Sequence, residues 1–96
     1  MSAFFIANVN VKDGEKFHQY AKAAGESMQP FDGQVVTKGK LSKSLAGEMK
    51  YENVAVVSFP NQEKLDAWFN SDVYQQIIPL RDEAADIVLT SYNVPN

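Results

Sequence analysis

With 96 residues, 45% of them apolar, the chain suffices for one compact domain over residues 1–96 and is too short for two independent cores. A formal charge of −3 and a sequence pI near 5.0 leave no basic excess to neutralise a phosphate backbone or an anionic bilayer, which sets aside nucleic acid and membrane surfaces as partners. The absence of cysteine removes disulfides, thiolate metal ligands and a thiol nucleophile.

The opening stretch MSAFFIANVNVKDG lacks a basic n-region, and Asn8 and Asn10 interrupt its apolar run. It is expected to be neither a signal peptide nor a spanning helix, and the expected location is cytoplasmic. Within it, Ala3–Val11 is rich in β-formers and reads as a strand, ended by the turn residues Lys12, Asp13 and Gly14. A helix follows, because Phe17, Tyr20, Ala21, Ala24 and Met28 recur at helical spacing. Asp13 or Gly14 is placed to cap it, Glu15 meets the positive end of its dipole, and Pro30 is expected to stop it. After Gly33, QVVTKGK reads as a second, shorter strand, and residues 52–59, ENVAVVSF, as a strongly β-branched third. The intervening LSKSLAGEMKY is polar and unpatterned.

Pro60 and Asn61 open a second helix, with Asn61 as its cap and Leu65, Trp68 and Phe69 on its buried stripe. Ser71 and Asp72 restart helical structure through Val73, Tyr74 and Ile77. Pro79 lacks the N–H that a continuous helix needs and pushes Ile78 from the α region, so a further short helix, PLRDEAA, is expected to start around it. Residues 85–94, ADIVLTSYNV, form the fourth strand, closed by Pro95.

The order β-α-β-β-α-β predicts an α+β, ferredoxin-like domain. Two right-handed βαβ crossovers joined by a hairpin give a four-stranded antiparallel sheet with both helices on one face. Phe4 and Ile6 point to one face of that sheet and Phe5, Ala7 and Val9 to the other, while Val54 and Val56 oppose Ala55, Val57 and Phe59. Both faces are therefore apolar, and the helices cover only one. The other is expected to bury itself on a second copy, as a homodimer whose joined sheets form a dimeric α+β barrel.

Several phrases carry a family resemblance: FFIANVNVKD, FHQYAKAA, Gly33 and Gly39 around the second strand, and AADIVLTSY. The most specific is Phe59-Pro60 followed by Ala67-Trp68-Phe69, Ser71, Tyr74 and Arg81. On these the chain resembles, over nearly its whole length, the domain of unknown function 1330 family. The resemblance implies the dimeric α+β barrel superfamily, whose members include cofactor-free monooxygenases, small-molecule isomerases and haem enzymes, and it implies no particular activity. Family members often carry an acidic residue where this chain has Ser58, and arginine and a second glycine in the second strand where it has Lys38 and Lys40. An acid–base role at the third strand is correspondingly not expected.

Candidate site residues are the polar groups that helical spacing places on buried stripes. Tyr20 and Tyr74 carry phenols that need partners when buried. Arg81, seven residues after Tyr74, shares its face if the helical path continues through Pro79, and a guanidinium there would orient a carboxylate or enolate oxygen. Alternatively, Arg81 pairs with Asp82, Glu83 or Asp86, or caps a carbonyl near the helix break. Ser71, Tyr74, Ile78 and Arg81 recur at spacings of three, four and three, so Tyr20, Ser71, Tyr74 and Arg81 form the expected ligand-binding set, with no catalytic residue identified. His18 is the one group whose ordinary pKa lies near neutrality, but it projects about 100° from Phe17 and is expected at the surface. Asn8, Asn10, Ser58 and Thr90 can line a pocket or a wet sheet end.

One histidine and no cysteine do not make a zinc site, and no acidic loop has calcium spacing. There is no G-x-S-x-G elbow, no G-x-G-x-x-G and no Walker loop, so no cofactor or metal is expected. RNA-recognition domains share the element order, but ENVAVVSF lacks their basic-aromatic signature. Two functions remain. One is the binding or transformation of a small, partly apolar, anionic molecule between helices and sheet. The other is a non-catalytic dimeric module that binds a metabolite or serves as a scaffold. A cavity of about 300 Å³ beside Tyr74 and Arg81 would favour the first, and closure of those side chains on each other the second.

Overall fold

A computed structural model of the chain describes residues 2–95. The first strand, β1 (Ala3–Val11), alternates strictly: Ala3, Phe5, Ala7 and Val9 are buried, while Phe4, Ile6, Asn8 and Asn10 are half-buried on the opposite face. Helix α1 (Gly14–Met28) is capped by Asp13, whose carboxylate accepts the Lys16 N–H at 3.1 Å. The N–H groups of Lys12 and Asp13 donate to the Ala84 carbonyl at 2.8 and 3.0 Å, which fixes where the helix sets out.

The α-helix ends at Met28, just before Pro30, as the sequence leads one to expect. The chain passes from Met28 into a 3-10 turn, Gln29–Phe31, whose first turn accommodates Pro30 because no N–H is needed there. The 3-10 turn ends at Asp32. Asp32 takes a left-handed φ of 61°, and the Gly33 N–H donates to the Met28 carbonyl at 3.1 Å. A Cβ on Gly33 would stand 2.8 Å from Phe59 Cε2 and 2.9 Å from Met28 Cβ, so only glycine fits this corner without displacing core atoms.

Strands β2 (Gln34–Lys40) and β3 (Asn53–Phe59) follow, then α2 (Gln62–Phe69), α3 (Asp72–Gln75), α4 (Ile78–Ala84) and β4 (Ala85–Asn93). The sheet has the order β2-β3-β1-β4 with every neighbouring pair antiparallel, the α+β, ferredoxin-like arrangement. Asn61 caps α2 by accepting the Lys64 N–H at 2.8 Å, and Leu65 and Trp68 enter the core. Phe69, expected on the same stripe, lies at the rim instead, since one helical residue past Trp68 is a turn of about 100°. Pro79 sits in the first turn of α4, as its missing N–H requires, but Ile78 is itself helical and is not displaced from the α region as the sequence led one to expect.

Strand β2 contains a bulge. Val35 pairs with Val57 but Thr37 pairs with Val56, so Val36 is the extra residue, and it lies exposed. Residues 41–52 are irregular and, apart from the half-buried Tyr51, exposed, and Asn10 holds their end in place: its amide donates to the Lys50 carbonyl and accepts the Glu52 N–H, both at 2.8 Å.

The helices cover the sheet face that carries Phe5, Val57 and Phe59. The opposite face presents Phe4, Ile6, Val54, Val56, Val88 and Tyr92, with Phe4 stacked on Tyr92 at 5.2 Å between ring centroids. No helix among the described residues is long and apolar enough to cross a membrane.

Candidate ligand-binding cavity

Helix α1 packs chiefly against α4 and stands off the sheet, while α2 lies closer to β1 and β3. The gap beneath α1 is a cavity of about 350 Å³. Its floor is the helix-facing side of the sheet, with Phe5, Ala7, Val9 and Val57, and its roof is α1, with Ala24 and Met28. The lining is overwhelmingly apolar. Tyr20, Lys38, Asn53 and Trp68 bring the polar side-chain groups, and Lys38 is the only charged lining residue among the described residues. The indole N–H of Trp68 is already committed, donating at 2.9 Å to Ser27 Oγ, which in turn donates to the Ala24 carbonyl at 2.6 Å. The Asn53 amide donates to the Val9 carbonyl at 3.3 Å and keeps its side-chain oxygen as an acceptor.

The structure joins three of the four expected site residues in one chain of contacts. Tyr74 is fully enclosed, packed against Trp68 at 4.4 Å and edge-on to Tyr20 at 6.4 Å between ring centroids. Its hydroxyl lies 2.8 Å from the Tyr20 hydroxyl and accepts from Arg81 Nη1 at 3.2 Å. Arg81 Nε donates in turn to the exposed carboxylate of Asp82 at 3.2 Å. Arg81 is thus paired on both sides, with Tyr74 and with Asp82, the closure that speaks for a structural role of this residue and against a direct ligand contact. Tyr20 alone of the four lines the cavity; Tyr74 and Arg81 stand behind it, closed on each other. Ser71 caps α3, where its hydroxyl accepts the Tyr74 N–H at 3.3 Å and donates to the Trp68 carbonyl at 2.6 Å.

Burial pushes the Tyr20 phenol well above the ordinary tyrosine range, while the Arg81 charge opposes it. Tyr20 therefore stays protonated throughout the physiological range and acts as a hydrogen-bonding group, not a base. Burial also works against the Arg81 charge, but the hydrogen bonds to Tyr74 and Asp82 outweigh it, and its pKa is raised. Among the described residues, no group of three or more His, Cys, Asp or Glu side chains is placed to hold a metal ion.

The family model for a domain of unknown function (DUF1330) matches residues 2–92. The chain belongs to the DUF1330 family. No curated protein matches it at a significant level. Among solved structures, a protein of unknown function from Rhodopseudomonas palustris is similar with a TM-score of 0.82 at 17% identity, over 99% of this chain and 83% of that one. SnoaB, a cofactor-independent oxygenase from Streptomyces nogalater, is similar with a TM-score of 0.71 at 7% identity, over 99% and 94% of the two chains. A dimeric ferredoxin-like protein of unknown function from Thermobifida fusca gives 0.65 at 15% identity, over 98% and 92%. At these identities the likeness is one of fold.

In this DUF1330 chain the sequence reading missed Lys38 and Asn53. Simple alternation from Val35 would send Lys38 to the helix-free face. The bulge at Val36 shifts the phase by one, so Lys38 pairs with Ala55 and faces the cavity. The polar strand residues that were weighed lie elsewhere: Asn8, Ser58 and Thr90 occupy the helix-free face, and Asn10 anchors the loop. His18 is exposed, as expected.

Proposed function

We propose that this DUF1330 protein is a homodimer that binds a small, largely apolar molecule carrying one anionic group, in the cavity beneath α1 of each subunit. The observation that carries this reading is the lining itself. A cavity of about 350 Å³ falls within the range of small-molecule sites, and its apolar walls hold a single charged side chain, the cation Lys38. Burying an apolar body there removes it from water, and Lys38 on the edge strand complements an anionic end at modest desolvation cost. Tyr20 contributes a polar contact inside the cavity, while Tyr74, Arg81 and Ser71 hold Tyr20 and its surroundings in place. No metal or nucleotide cofactor takes part in this binding.

Pairing through the helix-free face is supported by its apolar residues and by the similar dimeric protein from Thermobifida fusca. Thermal melts against a panel of small aromatic and aliphatic carboxylates and their neutral amides test the binding. A fitting carboxylate at a hundredfold excess over its Kd should raise Tm by about 10 °C, because mass action stabilises by about 2.7 kcal/mol. The corresponding amide should do less, and Lys38→Gln should abolish the difference. A flat response to the whole panel would remove the reading.

A further inference from the structure

The hydroxyl pair behind the cavity has a direction that follows from what each partner can donate. A guanidinium only donates, so the Tyr74 oxygen accepts from Arg81 Nη1. Tyr74 is wholly enclosed, and among the described residues the one acceptor within reach of its own hydrogen is the Tyr20 oxygen, at 2.8 Å. If Tyr20 donated instead, the Tyr74 hydrogen would be buried without an acceptor, a costly arrangement. With Tyr74 donating, the Tyr20 hydrogen has no partner among the described residues, and Tyr20 lines the cavity.

We propose that Tyr20 donates a hydrogen bond into the cavity, to a carbonyl or enolate oxygen of the bound apolar molecule, and that Arg81 strengthens this donor through Tyr74. This rests on the cavity reading above and adds the class of oxygen that the ligand presents there. Each hydrogen bond of the chain polarises the next, so the positive charge of Arg81 increases the acidity of the Tyr20 hydrogen bond without itself entering the cavity. In apolar surroundings such a donor discriminates between a ligand with an acceptor and one of equal shape without it. Lys38 and Tyr20 then set two requirements on one ligand, an anionic end and an acceptor oxygen within an apolar body. Arg81 and Tyr74 are positioning residues, and Tyr20 is the contact.

Tetralone and tetralin provide a test, having nearly the same shape but a carbonyl oxygen only in the first. Calorimetry should show both binding the wild-type protein. Tyr20→Phe should weaken tetralone roughly five- to tenfold, the effect of one neutral hydrogen bond, and leave tetralin unchanged. The infrared carbonyl stretch of bound tetralone should lie below its value in an apolar solvent for the wild type, return to that value in Tyr20→Phe, and move part of the way back in Arg81→Met. A purely structural Arg81 would change stability and leave the stretch where it was. An unshifted stretch in the wild-type complex overturns the donor while the cavity reading stands, and needs no variant to fold. Failure of both tetralin and tetralone to bind overturns the donor toward an apolar carbonyl ligand, while the carboxylate melts decide the cavity reading separately.

Discussion

Tyr20 places a neutral phenol where its ionised form is disfavoured, above all by burial, and that has a consequence for stability. A group whose folded pKa is raised contributes fully below its unfolded pKa, about 10 for tyrosine, and its contribution falls as pH rises further, because the unfolded phenol ionises first. Between pH 8 and 11 the wild type should therefore lose about 1.4 kcal/mol of stability relative to Tyr20→Phe, in which the other titrating groups are retained. Urea unfolding of both proteins at pH 8, 10 and 11 measures this, and parallel pH profiles would contradict it. The helical period makes Tyr20, Tyr74 and Arg81 legible in the sequence as polar positions on buried stripes. It does not say which phenol meets a void. That depends on how far α1 stands from the sheet, and on hydroxyl partners 54 positions apart in the chain, neither of which spacing encodes.

At the scale of elements, α3 shows why Ser71 matters. Four residues do not sustain a helix alone, and this turn is what carries Tyr74 to Tyr20 and Trp68. Ser71 satisfies the Tyr74 N–H and ties the turn to the Trp68 carbonyl. Ser71→Ala should cost about 1 kcal/mol in urea unfolding, and Ser71→Asp, another good cap, should recover much of it. Loss of the carboxylate-induced melt shift in Ser71→Ala at unchanged stability would instead make Ser71 a ligand contact. Caps were readable, since Asp13, Asn61 and Ser71 each combine a short acceptor side chain with a helical pattern after it. The bulge at Val36 and the 3-10 turn through Pro30 were not. Val36 sits in an unbroken β-forming run, with no glycine at the bulge to mark it, and Pro30 is as compatible with the start of a tight turn as with the end of a helix. The first of these hid Lys38, and with it the only charged lining residue among the described residues.

At the scale of the molecule, the element order and the alternation of β1 and β3 were enough to predict a sheet with two apolar faces, and the structure assigns the residues to each. Val57 is 3% exposed beneath the helices, while Val56, its neighbour in the chain, is half-buried on the helix-free face opposite Ile6 and Thr37. The protomer is a slab with extents of 32, 32 and 16 Å. Pairing two such slabs through their helix-free faces makes an assembly about as thick as it is wide, and covers Phe4, Ile6, Val56 and Tyr92 with an interface of about 1,600 Å² or more. In the proposed dimer, a two-fold axis through that face would bring each Val56 close to its symmetry mate's surface, so an aspartate there would be unfavourable twice over, losing apolar contact and confronting its copy's charge. Val56→Asp should therefore sediment as a monomer at micromolar concentration while keeping its far-ultraviolet circular dichroism. Val57→Asp should not fold, because it buries an unpaired carboxylate in the core, at a cost comparable to a small domain's whole stability. The two adjacent substitutions thus separate pairing from folding. A wild-type protein that sediments as a folded monomer, or a Val56→Asp variant that remains a dimer, would place the interface elsewhere and leave this apolar face unexplained.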